Sequence, residues 1–141
     1  MHMTEARRQG LNNTRLRGLH RVLIRKVRAV LRDLEGHGWK PLIAEGIRTV
    51  EQQRAKVRAG VSKTMNSKHL PQRDGYGWAA DVIDCRYAWN IKQYPAQVVA
   101  FRRDLGSSAE AHNLTWGGRW TKFYGKLGDW AHVELKREDA K

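Results

Sequence analysis

The sequence predicts an α+β fold in which helices pack on a small, mainly antiparallel sheet. Three segments repeat their apolar residues at helical spacing, and short apolar runs bounded by glycine, proline and polar residues lie between them. The chain has 141 residues, which is enough for one domain with its own hydrophobic core. Since no internal repeat or linker interrupts it, we expect one domain over residues 1–141.

The most regular helical pattern covers residues 14–35. Its apolar residues are three or four positions apart, as on one face of a helix: Leu16, Leu19, Leu23, Val27, Val30, Leu31 and Leu34. The opposite face carries arginines: Arg15, Arg17, Arg21, Arg25, Arg28 and Arg32. The pattern predicts a basic amphipathic helix that ends at the glycines around His37.

The other elements are shorter. Thr49 has the position of a helix N-cap, with Gln52 completing a capping box, and this second helix ends at Gly60. A third helix begins near Pro95, with its apolar positions at Val98, Val99, Phe101, Leu105 and Ala109. Strands are predicted at residues 41–47, 78–83, 114–116 and 131–135, and a turn-rich loop at residues 61–77.

The chain is strongly basic, with 27 lysines and arginines against 14 acidic residues and a net charge of +13. This charge favours an anionic partner, either nucleic acid or an anionic surface such as lipid headgroups, lipopolysaccharide or wall polymer. A basic helix face that is merely solvated is the alternative interpretation. Charge by itself leaves these three open.

The cysteine content and the lack of long apolar runs indicate the compartment in which the protein folds. The one cysteine, Cys85, excludes an intrachain disulfide and suits a reducing cytoplasm. No apolar run approaches the roughly 20 residues that span a bilayer, and residues 1–10 lack the apolar segment of a signal peptide. Met1 and His2 precede a second methionine, a pattern typical of a cloning scar.

Histidines and carboxylates are grouped in a way that suggests chemistry. In the last predicted strand His132 and Glu134 point to one face, and Asp129 lies at the junction before it. Together with His69 and Asp81, His132 makes a set of two nitrogens and one oxygen that Zn²⁺ accepts, with Asp129 or Glu134 as the general base. Spacing alone also allows ordinary surface histidines, because the local HExxH signature is missing.

Four motifs in order make the pattern more specific: Glu45-Gly46-Ile47-Arg48-Thr49, Ser67-x-His69, Gly77-x-Ala79-x-Asp81 and His132-x-Glu134. Over residues 40–136 the chain resembles the VanY-like zinc peptidases of peptidoglycan, which are D-alanyl-D-alanine carboxypeptidases and L-alanyl-D-glutamate endopeptidases. It is most similar to the phage endolysins of that family.

The resemblance implies a role for each matching residue. His69, Asp81 and His132 would bind one Zn²⁺ ion. Asp129 would be the catalytic base, and Arg48 would face the oxygen of the scissile carbonyl. Ser67 and Glu134 match residues that contact the substrate or support a ligand, and Trp130, beside the base, is a candidate for the wall of the groove.

The resemblance further implies hydrolysis of the L-alanyl-D-glutamate bond of the stem peptide, with lysis of the bacterial cell. A D-alanyl-D-alanine carboxypeptidase is the alternative within the family, and a basic nucleic-acid-binding protein is the alternative of another class. For the endolysin we expect a monomer that is made in the host cytoplasm and acts on the wall after release. Its basic N-terminal helix would contact the anionic envelope, and nucleic acid is not expected as a partner.

The stretch between the first two proposed ligands departs from the family pattern. His69 and Asp81 are twelve positions apart, which is a longer step than in many members, and the extra residues at 71–76 are turn formers. We expect them to loop out beside the cleft at small closure cost. Asp84 is a competing carboxylate, but Asp81 alone fits the Gly-x-Ala-x-Asp motif.

Overall fold

The structure, a computed structural model, describes residues 3–62 and 64–141; Met1 and His2 lie outside this range. The helices are α1 Glu5–Leu16, α2 Arg21–Gly36, α3 Val50–Arg58, α4 Pro95–Ala111 and α5 Thr121–Tyr124. The strands are β1 Pro41–Glu45, β2 Ala79–Asp84, β3 Thr115–Trp116 and β4 His132–Glu134. None of the helices in the described range is long and apolar enough to cross a membrane.

The predicted N-terminal helix at residues 14–35 is wrong in its start, because the structure divides this segment between two helices. Leu16 ends α1, and Leu19 lies buried in the connection to α2. Gly18 has a φ of +84°, a left-handed conformation that ends a helix. The His20 side chain then accepts a hydrogen bond from the Val22 N–H at 3.0 Å and caps α2. The apolar pattern runs across the break because both helices face one core.

The four strands form one antiparallel sheet in the order β1-β2-β4-β3. This confirms the predicted α+β class and the four predicted strand positions, within two or three residues at each end. The register places Asp81 of β2 opposite His132 of β4. Directly opposed residues point to the same face of a sheet, so the pairing brings these two side chains together.

Helices α2 and α4 pack on the face of the sheet that carries Val82 and Val133, both fully buried. Since side chains alternate along a strand, Asp81 and His132 point to the opposite face. The predicted apolar positions of α4 are confirmed except for Val99, which is 43% exposed. The capping box of Thr49 and Gln52 at the start of α3 is confirmed as well.

Helix α1 covers the free edge of β1 with polar side chains. The Asn12 amide donates to the Pro41 carbonyl at 3.1 Å, and its oxygen accepts from the Ile43 N–H at 2.7 Å. Arg8 donates to the same Pro41 carbonyl at 2.6 Å, and Arg15 donates to the Ile43 carbonyl at 2.9 Å. These side chains take the place of a fifth strand and protect an edge that would otherwise pair with another chain.

We expect Asn12→Ala to lower the free energy of unfolding by about 1–3 kcal/mol, because the buried Ile43 N–H loses its acceptor. Urea denaturation at equilibrium measures this as a lower midpoint with an unchanged slope. Asn13→Ala is the matched control: Asn13 is exposed and bonds only to Arg28, so a loss under about 0.5 kcal/mol is expected. Equal losses in the two variants would contradict the edge role of Asn12.

Candidate metal centre

His69, Asp81 and His132 converge on the open face of the sheet, with one ligand atom of each within 4.8 Å of the others. The His69 Nε2 atom lies 3.2 Å from Asp81 Oδ1, and the His132 Nδ1 atom lies 3.4 Å from the same oxygen. Both histidines are buried. The three residues proposed as metal ligands from the sequence therefore do meet, although they come from a loop and two different strands.

Backbone contacts orient the His69 ring. Its Nδ1 atom lies 2.7 Å from the Gly46 carbonyl oxygen, which can only accept, so Nδ1–H donates and Nε2 is the ring nitrogen that faces Asp81. The His69 N–H donates to Ser67 Oγ at 3.1 Å. Gly46 must lack a side chain here, because a Cβ atom would lie 2.2 Å from the Arg15 carbonyl oxygen. The end of β1 thus fixes the imidazole tautomer.

The His132 ring is oriented by a carboxylate. Its Nε2 atom lies 2.8 Å from Glu134 Oε1, so Nε2–H donates to Glu134 and Nδ1 faces Asp81. His132 and Glu134 share one face of β4, as expected for alternate residues of a strand. A histidine that binds a metal usually donates its other N–H in this way. With His69 and Asp81, His132 would supply the kind of donor set that a zinc ion accepts.

The histidines and carboxylates of the centre shift each other's pKa values. Burial by itself would lower the pKa of His132, but hydrogen bonds to Asp81 and Glu134 outweigh it and raise the pKa to about 10. Burial would raise the pKa of Asp81, yet the two histidines hold it well below its usual range. The carboxylates of Asp81 and Glu134 thus favour a positive charge at His132. Because a metal would displace the His132 proton, its affinity rises as the pH rises toward 10.

Asp129 lies at the rim of this cluster, with its Oδ2 atom 3.9 Å from His132 Nδ1. Burial raises the pKa of its carboxyl above the ordinary value, and the neighbouring Asp81 carboxylate acts in the same direction. Its N–H donates to the Gly117 carbonyl at 2.9 Å. Asp129 is thus a partly buried carboxylate beside the three candidate ligands.

Arg48 is buried beside the cluster, and its guanidinium is held by two residues that the sequence analysis missed. Glu45 accepts from Nε at 2.7 Å and from Nη2 at 2.8 Å, and Gln53 accepts from Nη1. The Nη2 atom lies 4.0 Å from Asp81 Oδ2. Of the five N–H groups of an arginine, these bonds use three and leave two for a substrate.

A signal for Glu45 was present in the sequence, because it lies three residues before Arg48 within one motif. Gln53 offered no such signal. It is fully buried, and its amide nitrogen donates to Ser62 Oγ at 2.8 Å and to the Thr64 carbonyl. These contacts join Arg48 to the loop that follows α3.

The cluster lines a cavity of about 450 Å³. Polar side chains of the loop after α3 also line it: Ser62, Thr64, Asn66 and Ser67. Aromatic side chains contribute to its wall as well: Trp89, Trp120 and Tyr124. The Trp120 ring lies 5.0 Å from the His132 ring, between centroids. The cavity is open to solvent and large enough for a short peptide segment.

The structure corrects the expectation that Trp130 lines the groove. Trp130 is 7% exposed and packs in the core against Phe101, with 6.1 Å between ring centroids. The reason is a turn in which the His132 N–H donates to the Asp129 carbonyl at 3.1 Å and directs Trp130 to the helix side. In the described part of the chain, Trp89 and Trp120 supply the tryptophan rings of the cavity wall instead.

Asp84, the competing carboxylate, has a structural role away from the cluster. It is 1% exposed, accepts from the Lys40 N–H at 2.8 Å and pairs with Arg86 at 2.9 Å. Of the two carboxylates, Asp81 is therefore the one that lies beside His69 and His132.

The extra residues between His69 and Asp81 do loop out, because all of residues 71–76 except Gln72 are exposed. The expected place beside the cleft is wrong, since none of them lines the cavity. The Gln72 side chain donates to the Ser67 carbonyl at 3.2 Å. Gly77, which follows the loop, donates its N–H to the Gly18 carbonyl at 2.9 Å and accepts from the His20 N–H at 3.0 Å. The end of the loop is therefore held at the connection between α1 and α2, whose backbone groups pair with Gly77.

Fold and cluster together define a class: a small α+β protein with a His-Asp-His centre on the open face of its sheet. A family model described as phage L-alanyl-D-glutamate peptidase matches residues 9–135. The chain belongs to this family, which confirms the resemblance seen in the motifs.

Individual relatives agree with this assignment. The L-alanyl-D-glutamate peptidase of Listeria phage A118 is 37% identical over 93 residues, which are 63% of this chain and 29% of that protein. The match thus spans less than a third of that curated relative's length.

Two solved structures share the fold. The Serratia marcescens L-Ala D-Glu endopeptidase ChiX is 30% identical, with a TM-score of 0.61, and the match covers 92% of this chain and 89% of ChiX. VanYB in complex with D-Alanine-D-Alanine has a TM-score of 0.54 over 86% of this chain and 74% of VanYB. At 16% identity, VanYB supports the fold alone.

Proposed function

We propose that this protein is a zinc-dependent endolysin that hydrolyses the L-alanyl-D-glutamate bond of the peptidoglycan stem peptide. The observation that carries the proposal is the convergence of His69, Asp81 and His132, with Asp129 beside them, in a chain of the phage L-alanyl-D-glutamate peptidase family. Its substrate is the stem peptide, its place of action is the bacterial wall after release from the host cytoplasm, and its working form is a monomer.

Two imidazole nitrogens and one carboxylate oxygen are a donor set that zinc favours. The ligand atoms are His69 Nε2, His132 Nδ1 and an Asp81 oxygen, since Gly46 and Glu134 occupy the other ring nitrogens. A zinc ion held there supplies polarisation of the scissile carbonyl and acidification of the attacking water.

The remaining residues of the site have complementary roles in this proposal. Asp129 accepts a proton from the attacking water at its carboxylate and returns it to the leaving amine. Arg48 offers its two remaining N–H groups to the carbonyl oxygen, where negative charge develops. Glu45 and Gln53 hold the guanidinium in place for that contact. Glu134 maintains the His132 tautomer, and Ser67 supports the His69 loop.

Digestion of purified peptidoglycan tests the bond specificity. We expect new amino-terminal D-glutamate to appear and to be detected by end-group labelling and mass spectrometry of the released peptides. Asp81→Asn is the inactive control, because it removes the oxygen ligand from the centre. Release of free D-alanine without new D-glutamate termini would instead identify a carboxypeptidase.

The rival of another class, a basic nucleic-acid-binding protein, makes the opposite prediction in two simple assays. The endolysin contains one metal ion per chain and lyses permeabilised bacteria in a way that a chelator stops. The rival binds DNA with strong salt dependence and shows neither metal nor lysis. The rival accounts for the net charge of +13 but gives no reason for the His-Asp-His cluster.

A further inference from the structure

Four arginines form a line along the exposed face of α2, and we call Arg21, Arg25, Arg28 and Arg32 the arginine stripe. Their spacing of four, three and four residues keeps them on one side of the helix over about 16 Å. In the described part of the chain, no carboxylate forms a salt bridge with any of the four. Arg28 bonds only to Asn13 Oδ1, at 3.1 Å.

The arginine stripe is unfavourable for the helix that carries it. Like charges three or four residues apart repel each other, and the stripe contains three such neighbouring pairs. The charge order also opposes the helix dipole: the first turn has Arg21 and no acid, and the last turn has Asp33 and Glu35 and no base. An arrangement that costs helix stability and forms no internal pairs indicates an external anion as its partner.

The residue type points to phosphate. A guanidinium binds two phosphate oxygens with parallel N–H groups, which a lysine ammonium cannot do. Lys26, the lysine of the same helix, is already paired with Asp139 at 2.8 Å. A small cleft between α1 and α2 is lined by Gln9 and Asn13 together with Arg28 and Arg32. Glu35 also lines this cleft, and its carboxylate is paired with Arg8 at 2.7 Å.

The shape of this surface favours a flat array of phosphates. Helix α2 does not protrude: Asn13 of α1 bonds to Arg28 on one side, and Ser108 of α4 bonds to Asp33 at 2.7 Å. A helix flanked in this way fits poorly into a DNA groove, which admits a single protruding helix. The apolar residues of α2 are buried in the core, as the fully buried Leu23 and Val27 show. They therefore cannot insert into a bilayer, and contact with one would be peripheral and electrostatic.

The stripe lies on the helix side of the sheet, whereas the metal centre opens on the other face. We infer that the arginine stripe docks this protein on the phosphate headgroups of an anionic lipid surface in the cell envelope. The choice of the envelope rests on the proposed function, since a lipid surface next to the wall would raise the local concentration of the enzyme at its substrate. Both faces can be engaged at the same time.

Binding to vesicles tests the inference. The probe is phosphatidylcholine vesicles with 30% phosphatidylglycerol, a composition chosen for the assay on the order of natural anionic content. We expect Arg25→Gln/Arg28→Gln to reduce the partition constant in sedimentation by about 25-fold at low salt, about fivefold for each arginine. The variant should unfold at the same temperature as the parent protein or higher, because all three repulsive neighbouring pairs of the stripe are relieved.

Arg54→Gln/Arg73→Gln is the matched control, since both arginines are exposed, lie off α2 and change the net charge equally. For this control we expect the vesicle partition constant to fall by less than about threefold, because only the net charge changes. Equal losses in the two double variants would overturn the stripe as a docking surface. Tighter binding of the parent protein to a short DNA duplex than to the vesicles, at equal salt, would overturn the choice of lipid.

The vesicle experiment tests the docking surface independently of the proposed peptidase activity. Cleavage of a soluble stem peptide by Arg25→Gln/Arg28→Gln should equal that of the parent protein, because the stripe is remote from the metal centre. If the parent protein cleaves no stem peptide but the stripe variant still loses vesicle binding, the peptidase proposal fails and the docking surface stands.

Discussion

Replacement of His132 by alanine is expected to abolish binding of one metal ion per chain and to reduce peptide hydrolysis by on the order of 1000-fold or more. His132 supplies one of the two ring nitrogens of the cluster and lies within 3.4 Å of the Asp81 oxygen. Without it, two candidate ligands remain, and the partly buried carboxylates of Asp81 and Glu134 lose the imidazole that both contact. Metal analysis after dialysis, together with kcat/KM on a soluble stem peptide, measures both effects.

His37→Ala is the matched control, because His37 is exposed and its ring contacts only the Asp33 carbonyl, far from the cavity. This variant should keep its metal and its activity. A His132→Ala protein that retained one tightly bound metal ion per chain would show that the centre is assigned to the wrong residues. Removal of the metal by a chelator should reproduce the loss of activity, and added zinc should restore it.

Replacement of Asp129 by asparagine is expected to leave the metal content unchanged and to lower kcat by about 100- to 10,000-fold. Asp129 lies 3.9 Å from His132 Nδ1 and outside the set of three ligands, so the substitution removes a proton acceptor and leaves the ligands in place. Its pKa is raised, chiefly by burial. The parent rate should therefore fall as the pH drops below that pKa, where the carboxylate is protonated, and Asp129→Asn should lack this dependence.

Asp104→Asn serves as the control for Asp129→Asn, since Asp104 accepts from the Trp39 indole and lies outside the cavity. Its rate should stay within about twofold of the parent rate. Two results would contradict the role of Asp129: near-normal turnover of Asp129→Asn would remove it as the base, and loss of metal would make it a ligand.

Local features of this protein were predictable because they depend on neighbours in sequence. Side chains alternate along a strand, so His132 and Glu134 had to share a face. The Thr49 and Gln52 capping box depends on backbone groups within one turn, and it forms as predicted. The ligand set itself came from the motifs, whose order resembles a known family, and composition alone left it open.

Other features depended on contacts between segments that are far apart in the chain. The spacing of the apolar residues could not predict the break between the helices at Gly18. The reason is that α1 and α2 both direct apolar residues into one core, so the pattern continues across the break. The loop before Asp81 is exposed, but its end at Gly77 is held by the connection between those helices. The turn at Asp129 directs Trp130 to the core and leaves the cavity wall to Trp89 and Trp120.

The sequence by itself determined the class of fold, the strand faces and the identity of the residues at the centre. Only the tertiary structure decided which groups hold them: the Gly46 carbonyl on His69, and Glu45 with Gln53 on Arg48. The physical reason is that backbone periodicity is a local property, whereas a buried polar group takes whichever partner the packing of distant elements brings within hydrogen-bonding distance.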